Sequence, residues 1–191
     1  MSDIFTLSLR DLLRFRTAEA HARIDGLFGS CDLGSRAGYE RFLMAQSVAW
    51  ESWSPVLDER SQSRARALRG DLAMLGVPVP RSLPILMPAA LSLGHRYVIE
   101  GSRLGSAFLL RRLGSMAPEL ARQASAYLEE SAKIEAWREL STALQYDHRS
   151  YDSPLAIVDD ALFVFGSFER AWRVTYSAQM KAAELDPIDC R

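Results

Sequence analysis

The chain has 191 residues and a mass of 21.4 kDa, is 48% hydrophobic and 25% charged, and has a mean hydropathy of −0.07. Its 23 Lys+Arg against 24 Asp+Glu leave a formal charge of −1, which excludes the broad basic field that draws a protein to nucleic acid. Two cysteines, Cys31 and Cys190, exclude a disulfide framework and any CxxC metal or redox motif, and read as free thiols in a reducing compartment. The start, Met1-Ser2-Asp3-Ile4, lacks the basic and apolar regions of a signal peptide, and no stretch approaches the ~18 uninterrupted apolar residues of a membrane span. The expected protein is cytoplasmic and folds as one domain over residues 1–191.

The hydrophobic period is helical nearly throughout, and no segment alternates at period two. A first helix is predicted from about Ser8 to Phe28, with Leu9, Leu12, Leu13, Ala20, Ile24 and Leu27 as its apolar stripe and Gly29 as its C-terminal cap. A second runs from near Ser35 toward Leu57, with Pro55 in its last turns, and a third, arginine-rich, from Ser63 to Leu75. Residues 76–88 contain Pro78, Pro80, Pro84 and Pro88 and are expected to be extended or looped. A long helix from Ala89 to Leu113 is expected to be interrupted by Gly101 and Gly105. Further helices follow from Pro118 to Tyr127, from Ala132 to Tyr146, and from Ser153-Pro154 to about Ala183. The expected fold class is an all-α, single-domain helical bundle.

Two segments carry chemistry. On the first helix, Arg10, Arg14, Thr17 and His21 fall within a narrow stripe, and Arg14 sits ~10 Å along the axis from His21. A neutral imidazole there could take a metal while a guanidinium meets a carboxylate of the same flat ligand. A solvated surface face satisfies the same spacing. On the long helix, Gly101 and Gly105 face one way, and Ser102 and Ser106 line the adjacent stripe. Each interior glycine costs a helix ~1 kcal/mol relative to alanine, so the pair requires a compensating role. Close helix packing is one such role. Close approach of bare backbone to a planar ligand, with serine hydroxyls ordering water, is the other.

Together these segments resemble the haem oxygenase family. Residues from Leu9 to His21 resemble its proximal helix, with His21 at the iron-ligand position. Tyr97-Val98-Ile99-Glu100-Gly101-Ser102-Arg103-Leu104-Gly105 resembles the distal helix of the bacterial branch, including members that supply biliverdin to bacterial phytochromes. The resemblance implies a helical bundle that grips haem as both cofactor and substrate. With O2 and an external reductant the ring would be opened to biliverdin, CO and ferrous iron. It implies His21 on the iron, Arg14 near a haem propionate, Thr17 and Tyr97 beside the haem, and Gly101, Ser102, Gly105 and Ser106 as the catalytic distal wall. Family members also set an aromatic of the last helix against the haem, here Phe165 or Phe168, with Trp172 on the Phe165 face.

The sequence departs from the family at Ser102, where many relatives carry an aspartate that anchors a proton-delivering water. Arg138 and Arg149 are further candidates for a propionate, whereas His95 is expected at the surface or between helices and His148 in a cap or loop. No GxGxxG follows a strand, so electrons are expected from an external donor such as a ferredoxin or a reductase. A phytochrome is a possible acceptor of the product, and no nucleic acid or membrane partner is expected. A non-catalytic haem carrier or sensor on the same fold is the alternative. A di-iron oxidase is disfavoured because no Glu-x-x-His occurs.

Overall fold

The structure is a computed structural model that describes residues 7–85, 87–146 and 153–185. Among these residues every regular element is helical: α1 Leu9–Gly29, α2 Arg36–Trp53, α3 Glu59–Met74, α4 Leu93–Met116, α5 Pro118–Gln123, α6 Ala126–Ser131, α7 Glu135–Tyr146 and α8 Pro154–Leu185. No helix among them is long and apolar enough to cross a membrane.

Side-chain caps set most helix starts. Ser8, Ser35, Asp58 and Ser92 each accept a backbone N–H three residues on, satisfying donors that a helix N-terminus leaves unpaired. Asp58 therefore starts α3 four residues before the predicted Ser63. Ser92 starts α4 later than Ala89, because the proline-rich segment cannot join the helix. The end of α3 is a left-handed cap: Gly76 has φ 71°, and the amides of Gly76 and Val77 reach back to Ala73 and Leu72. Gly29, predicted as such a cap, is instead the last residue of α1, and Ser30 closes the helix with αR backbone. Nor do the α4 glycines interrupt their helix, which runs unbroken for 24 residues.

The single helix predicted from Pro118 to Tyr127 is broken at Ala124, and its neighbours explain why. Buried Asp71 of α3 accepts the N–H groups of Ala126 and Tyr127 at 3.1 and 2.8 Å, starting α6 afresh. The Tyr39 hydroxyl takes the Ala124 carbonyl at 2.6 Å. Burial and the Asp71 carboxylate push the Tyr39 phenol far above its ordinary range, so it serves as a donor throughout the physiological pH range.

α8 is the spine of the bundle. α1, α2 and α4 pack along it, α3 bridges α2 to α6, and α7 closes against α1 and α4. The core centres on Tyr39, Phe42, Trp50 and Trp53 of α2, and each buried polar tip there has a partner: Trp50 Nε1 donates to Tyr127 at 3.0 Å and Trp53 Nε1 to Ser167 at 2.8 Å. The closest helix contact is at Gly94, where an added Cβ would lie 1.9 Å from the Ile157 carbonyl oxygen of α8. Gly94→Ala is therefore expected to push α4 off α8 and to cost about 1–3 kcal/mol, read as a lowered midpoint in urea denaturation.

Candidate functional site

Two side-chain contacts link α1 and α4. Near its start, α4 presents Tyr97 close enough to Thr17 of α1 for the two side chains to interact; Thr17 is itself buried and donates to the Leu13 carbonyl at 2.8 Å. Near the other end, Arg112 of α4 donates to the carbonyl of Gly29, the last residue of α1, at 3.3 Å. Twelve residues separate the contacts on α1 and fifteen on α4, or ~18 and ~22 Å of helix. Over that length each helix packs on α8 rather than on the other.

Helical spacing decides what faces the gap. From Thr17 the stripe continues through His21 to Phe28, and from Tyr97 through Gly101, Gly105 and Phe108 to Arg112. His21 thus stands one turn past the first contact on one wall, and Gly101 one turn past it on the other. The His21 side chain is 61% exposed. An added Cβ at Gly105 would meet nothing within 4 Å, and beside it Leu104 and Phe108 are 51% and 57% exposed. His21 on α1 and the Gly105 stretch of α4 are thus both open to solvent.

The His21 ring is held on two sides. Its Nδ1 lies 3.0 Å from Asp25 Oδ2 one turn along α1, and the Phe165 ring of α8 meets it edge-on at 5.8 Å. An imidazole that donates from Nδ1 to a carboxylate presents an unprotonated Nε2 outward, the form that binds a metal. No group of three or more His, Cys, Asp or Glu that could hold a metal ion occurs among the described residues. Arg10 and Arg14 lie close enough to Tyr97 to favour its ionised form, which burial opposes more strongly, so the phenol stays protonated above its usual range. Arg10 reaches Gln145 of α7 at 3.4 Å, and Arg14 is exposed on the His21 stripe.

The remaining residues singled out in the sequence divide. Gly101 does not face empty space: a Cβ there would touch the Trp137 ring of α7 at 3.4 Å, and that ring also packs edge-on against Tyr97 at 5.6 Å. Ser102 accepts from Arg64 of α3 at 2.8 Å and donates to the Ile99 carbonyl, while Ser106 donates back to the Ser102 carbonyl. Phe168 lies against Trp50 on the α2 side of α8, away from Phe165 and His21, because three residues turn it ~60° around the helix from Phe165. Trp172 packs on Phe28 at the far end of α1. Arg138 is exposed on α7. His148 and Arg149 lie outside the described residues, as does Cys190, whereas Cys31 is a free thiol whose burial pushes it up to about 11.

Three residues were not anticipated from the sequence. Asp25 was legible as the i+4 neighbour of His21. Trp137 carried no signal linking it to Gly101. The third is Arg64, a fully buried guanidinium that donates to the Ile99 carbonyl, to Ser102 and to Ser131, and lies 4.3 Å above the Trp50 ring. Burial lowers its pKa to about 10, so it stays charged at neutral pH. It binds the inner side of α4 at the turn that carries Gly101. A separate depression of about 540 Å3, lined by Asp71, Arg122 and Glu129 among others, lies at the α3–α6 end and shares no residue with the slot.

These features have counterparts among known proteins. The fold matches the crystal structure of the NO- and CO-bound haem oxygenase of Neisseria meningitidis, with a TM-score of 0.65 and 21% identity over 90% of this chain and 94% of that one. The all-α fold is thus the haem oxygenase fold. In sequence, the chain is 35% identical over 119 residues to the haem oxygenase PigA of Pseudomonas aeruginosa, a match covering 54% of this chain and 60% of that relative. No family model matches. By sequence and by fold the chain is related to the haem oxygenases.

Removing the Tyr97 hydroxyl tests the first contact between the slot walls. Tyr97→Phe is expected to lower stability by about 0.5–1.5 kcal/mol in chemical denaturation, and an unchanged midpoint would show that the link contributes nothing.

Proposed function

We propose that the chain is a haem oxygenase that binds haem in the α1–α4 slot and opens it to biliverdin, CO and ferrous iron. What supports this reading is His21, exposed and 3.0 Å from Asp25 on α1, together with the bare Gly105 backbone of α4, where an added Cβ would meet nothing within 4 Å. The residues suit the ligand: one nitrogen donor, an apolar strip at Leu104 and Phe108, and Arg14 and Arg10 at the Tyr97 end for carboxylates. Haem bound there would supply the iron at which dioxygen is activated with electrons from an external donor, a ferredoxin or a reductase.

The chain's own residues have definable tasks in this reading. Asp25 and Phe165 hold the imidazole so that Nε2 points outward. Thr17 and Tyr97 tie the walls together and limit the width of the slot. Gly105 lets the ligand and a small gas approach the α4 backbone where any larger side chain would intrude. Ser102 and Ser106 take a different part from the one the resemblance implies. Their hydroxyls are spent on α4 carbonyls and, for Ser102, on Arg64, so they shape the wall and offer oxygen lone pairs to water. The Arg64 charge held behind Ser102 provides, at this point of the wall, electrostatics that a neutral serine lacks. The likeness of the segment from Tyr97 to Gly105 to phytochrome-associated relatives supports biliverdin as product and a phytochrome as an acceptor.

The test is to add haem to the purified protein and follow the spectrum under ascorbate and air. Loss of the Soret band with biliverdin absorption is expected. Haem that survives intact would make the chain a haem carrier on this fold. His21→Ala is expected to abolish the histidine-ligated spectrum and most turnover, and retention of both would remove His21 from the iron. Gly105→Leu separates packing from access. It adds a better helix former where nothing stands within 4 Å, so the ligand-free protein is expected to gain up to about 1 kcal/mol of stability while turnover falls at least tenfold.

A further inference from the structure

The first turn of α4 holds a histidine, His95, that is only 4% exposed. Ser92 Oγ accepts the backbone N–H of His95 at 3.4 Å, and His95 Nδ1 accepts the backbone N–H of Ser92 at 3.1 Å. This is the reciprocal capping box that Ser or Thr ordinarily forms with Glu or Gln three residues on, with an imidazole in the acceptor's place. Ser92 Oγ also lies 2.7 Å from Nδ1 and donates to Asp160 Oδ2 of α8 at 2.6 Å. The His95 ring is walled by Trp53 of α2 at 5.5 Å and by Phe163 of α8 at 6.4 Å. The charged group facing it is Asp160, 3.8 Å from Nδ1; α2 presents only the Trp53 ring to it. Beside it, Gly94 is pressed against the Ile157 carbonyl.

We propose that His95 is a proton-sensitive positioning residue, which when neutral fixes the start of α4, and so the Tyr97–Gly105 wall, and when protonated releases the first turn. A backbone donor on Nδ1 requires that nitrogen to be an acceptor. A proton there sets Nδ1 against the Ser92 amide, which loses its acceptor, and turns the ring toward Ser92 Oγ, 2.7 Å away and itself donating to Asp160. The chemistry differs from a Glu or Gln capping box in this one respect, since those acceptors stay acceptors through neutral pH. The effect on the clamp is independent of any ligand, whereas its effect on the slot rests on the haem reading above.

The sign follows from burial. Burial lowers the pKa of His95, and Asp160 opposes that shift without cancelling it. The folded chain therefore holds this proton less tightly than the unfolded chain, whose histidine titrates near ~6.5. The stability that neutral His95 contributes is complete above that value. It is lost as pH falls below it and through the lower folded value.

The experiment begins with ligand-free protein, by thermal melts and by amide exchange of residues 93–97 between pH 7.5 and 5, each corrected for intrinsic exchange. Wild type is expected to lose melting temperature and gain first-turn exchange on the acid side. His95→Gln keeps a capping-box acceptor that does not titrate, so it is expected to hold most of the wild-type melting temperature at pH 7.5 and to lose the acid-side drop. His95→Leu is expected to be less stable at every pH. Asp160→Asn removes the charge that favours an imidazolium and is expected to deepen the drop. Parallel curves for wild type and His95→Gln would overturn the proposal, as would exchange that rises elsewhere but not at the start of α4. In the haem-loaded protein, release at pH 5.5 is expected to be several-fold faster from wild type than from His95→Gln, and equal rates would overturn the link to the wall. Failure of the chain to bind haem at all would defeat the functional reading alone, because the melts and exchange decide the clamp without it.

Discussion

α8 carries α1 along one side and α4 along another, and that shared support keeps the two outer helices parallel without letting them close on each other. Two amphipathic helices of this length would otherwise bury their facing stripes, because apolar surface left in water costs about 25 cal/mol per Å2. Among the described residues, polar groups near their ends link the two, Tyr97 with Thr17 and Arg112 with Gly29. Between them the chain leaves Leu104 and Phe108 half exposed beside a glycine that touches nothing. The open stretch is the structural fact on which the functional reading stands.

The Gly101–Gly105 stretch of α4 is braced by buried polar groups. A guanidinium with no exposed surface is costly to bury, and Arg64 offsets that cost with donors to Ile99, Ser102 and Ser131 and with the face of Trp50. In the same turn, Glu100 and Arg103 form a buried ion pair, and Arg103 also donates to the Glu130 carbonyl of α6. The side of α4 turned away from the slot is thus rich in directional, charge-assisted bonds, while the side facing it has almost none. Such an asymmetry suits a helix that must keep its shape against an unfilled space. The start of the same helix is fixed by the Ser92–His95 box and the contact of Gly94 with α8.

How much of this was legible in the sequence varies with the range of the interaction. The all-α class, the order of the helices and the starts near Ser8 and Ser35 follow from hydrophobic period and local side-chain chemistry, whereas the start of α4 at Ser92 does not. The stripe of Arg14, Thr17 and His21 and the pairing of Gly101 with Gly105 follow from spacing along one helix. The break at Ala124 did not, because the groups that cause it, Asp71 and Tyr39, lie on other helices. Ser102 was read as a group facing the ligand, whereas its hydroxyl is engaged by an arginine 38 residues earlier in the chain. Phe168 was grouped with Phe165 by proximity in sequence, but three residues of helical turn carry it to the α2 side.

The amino-acid sequence by itself determined which faces of α1 and α4 carry an imidazole and a bare backbone, since a helix of 3.6 residues per turn leaves no freedom in that assignment. Only the tertiary structure decided that Trp137 stands against one glycine and nothing against the other, and that Arg64 engages Ser102. The reason is physical. A helical stripe is a property of neighbouring residues, whereas a slot depends on the separation of two helices, set by the side chains packed between each of them and a third.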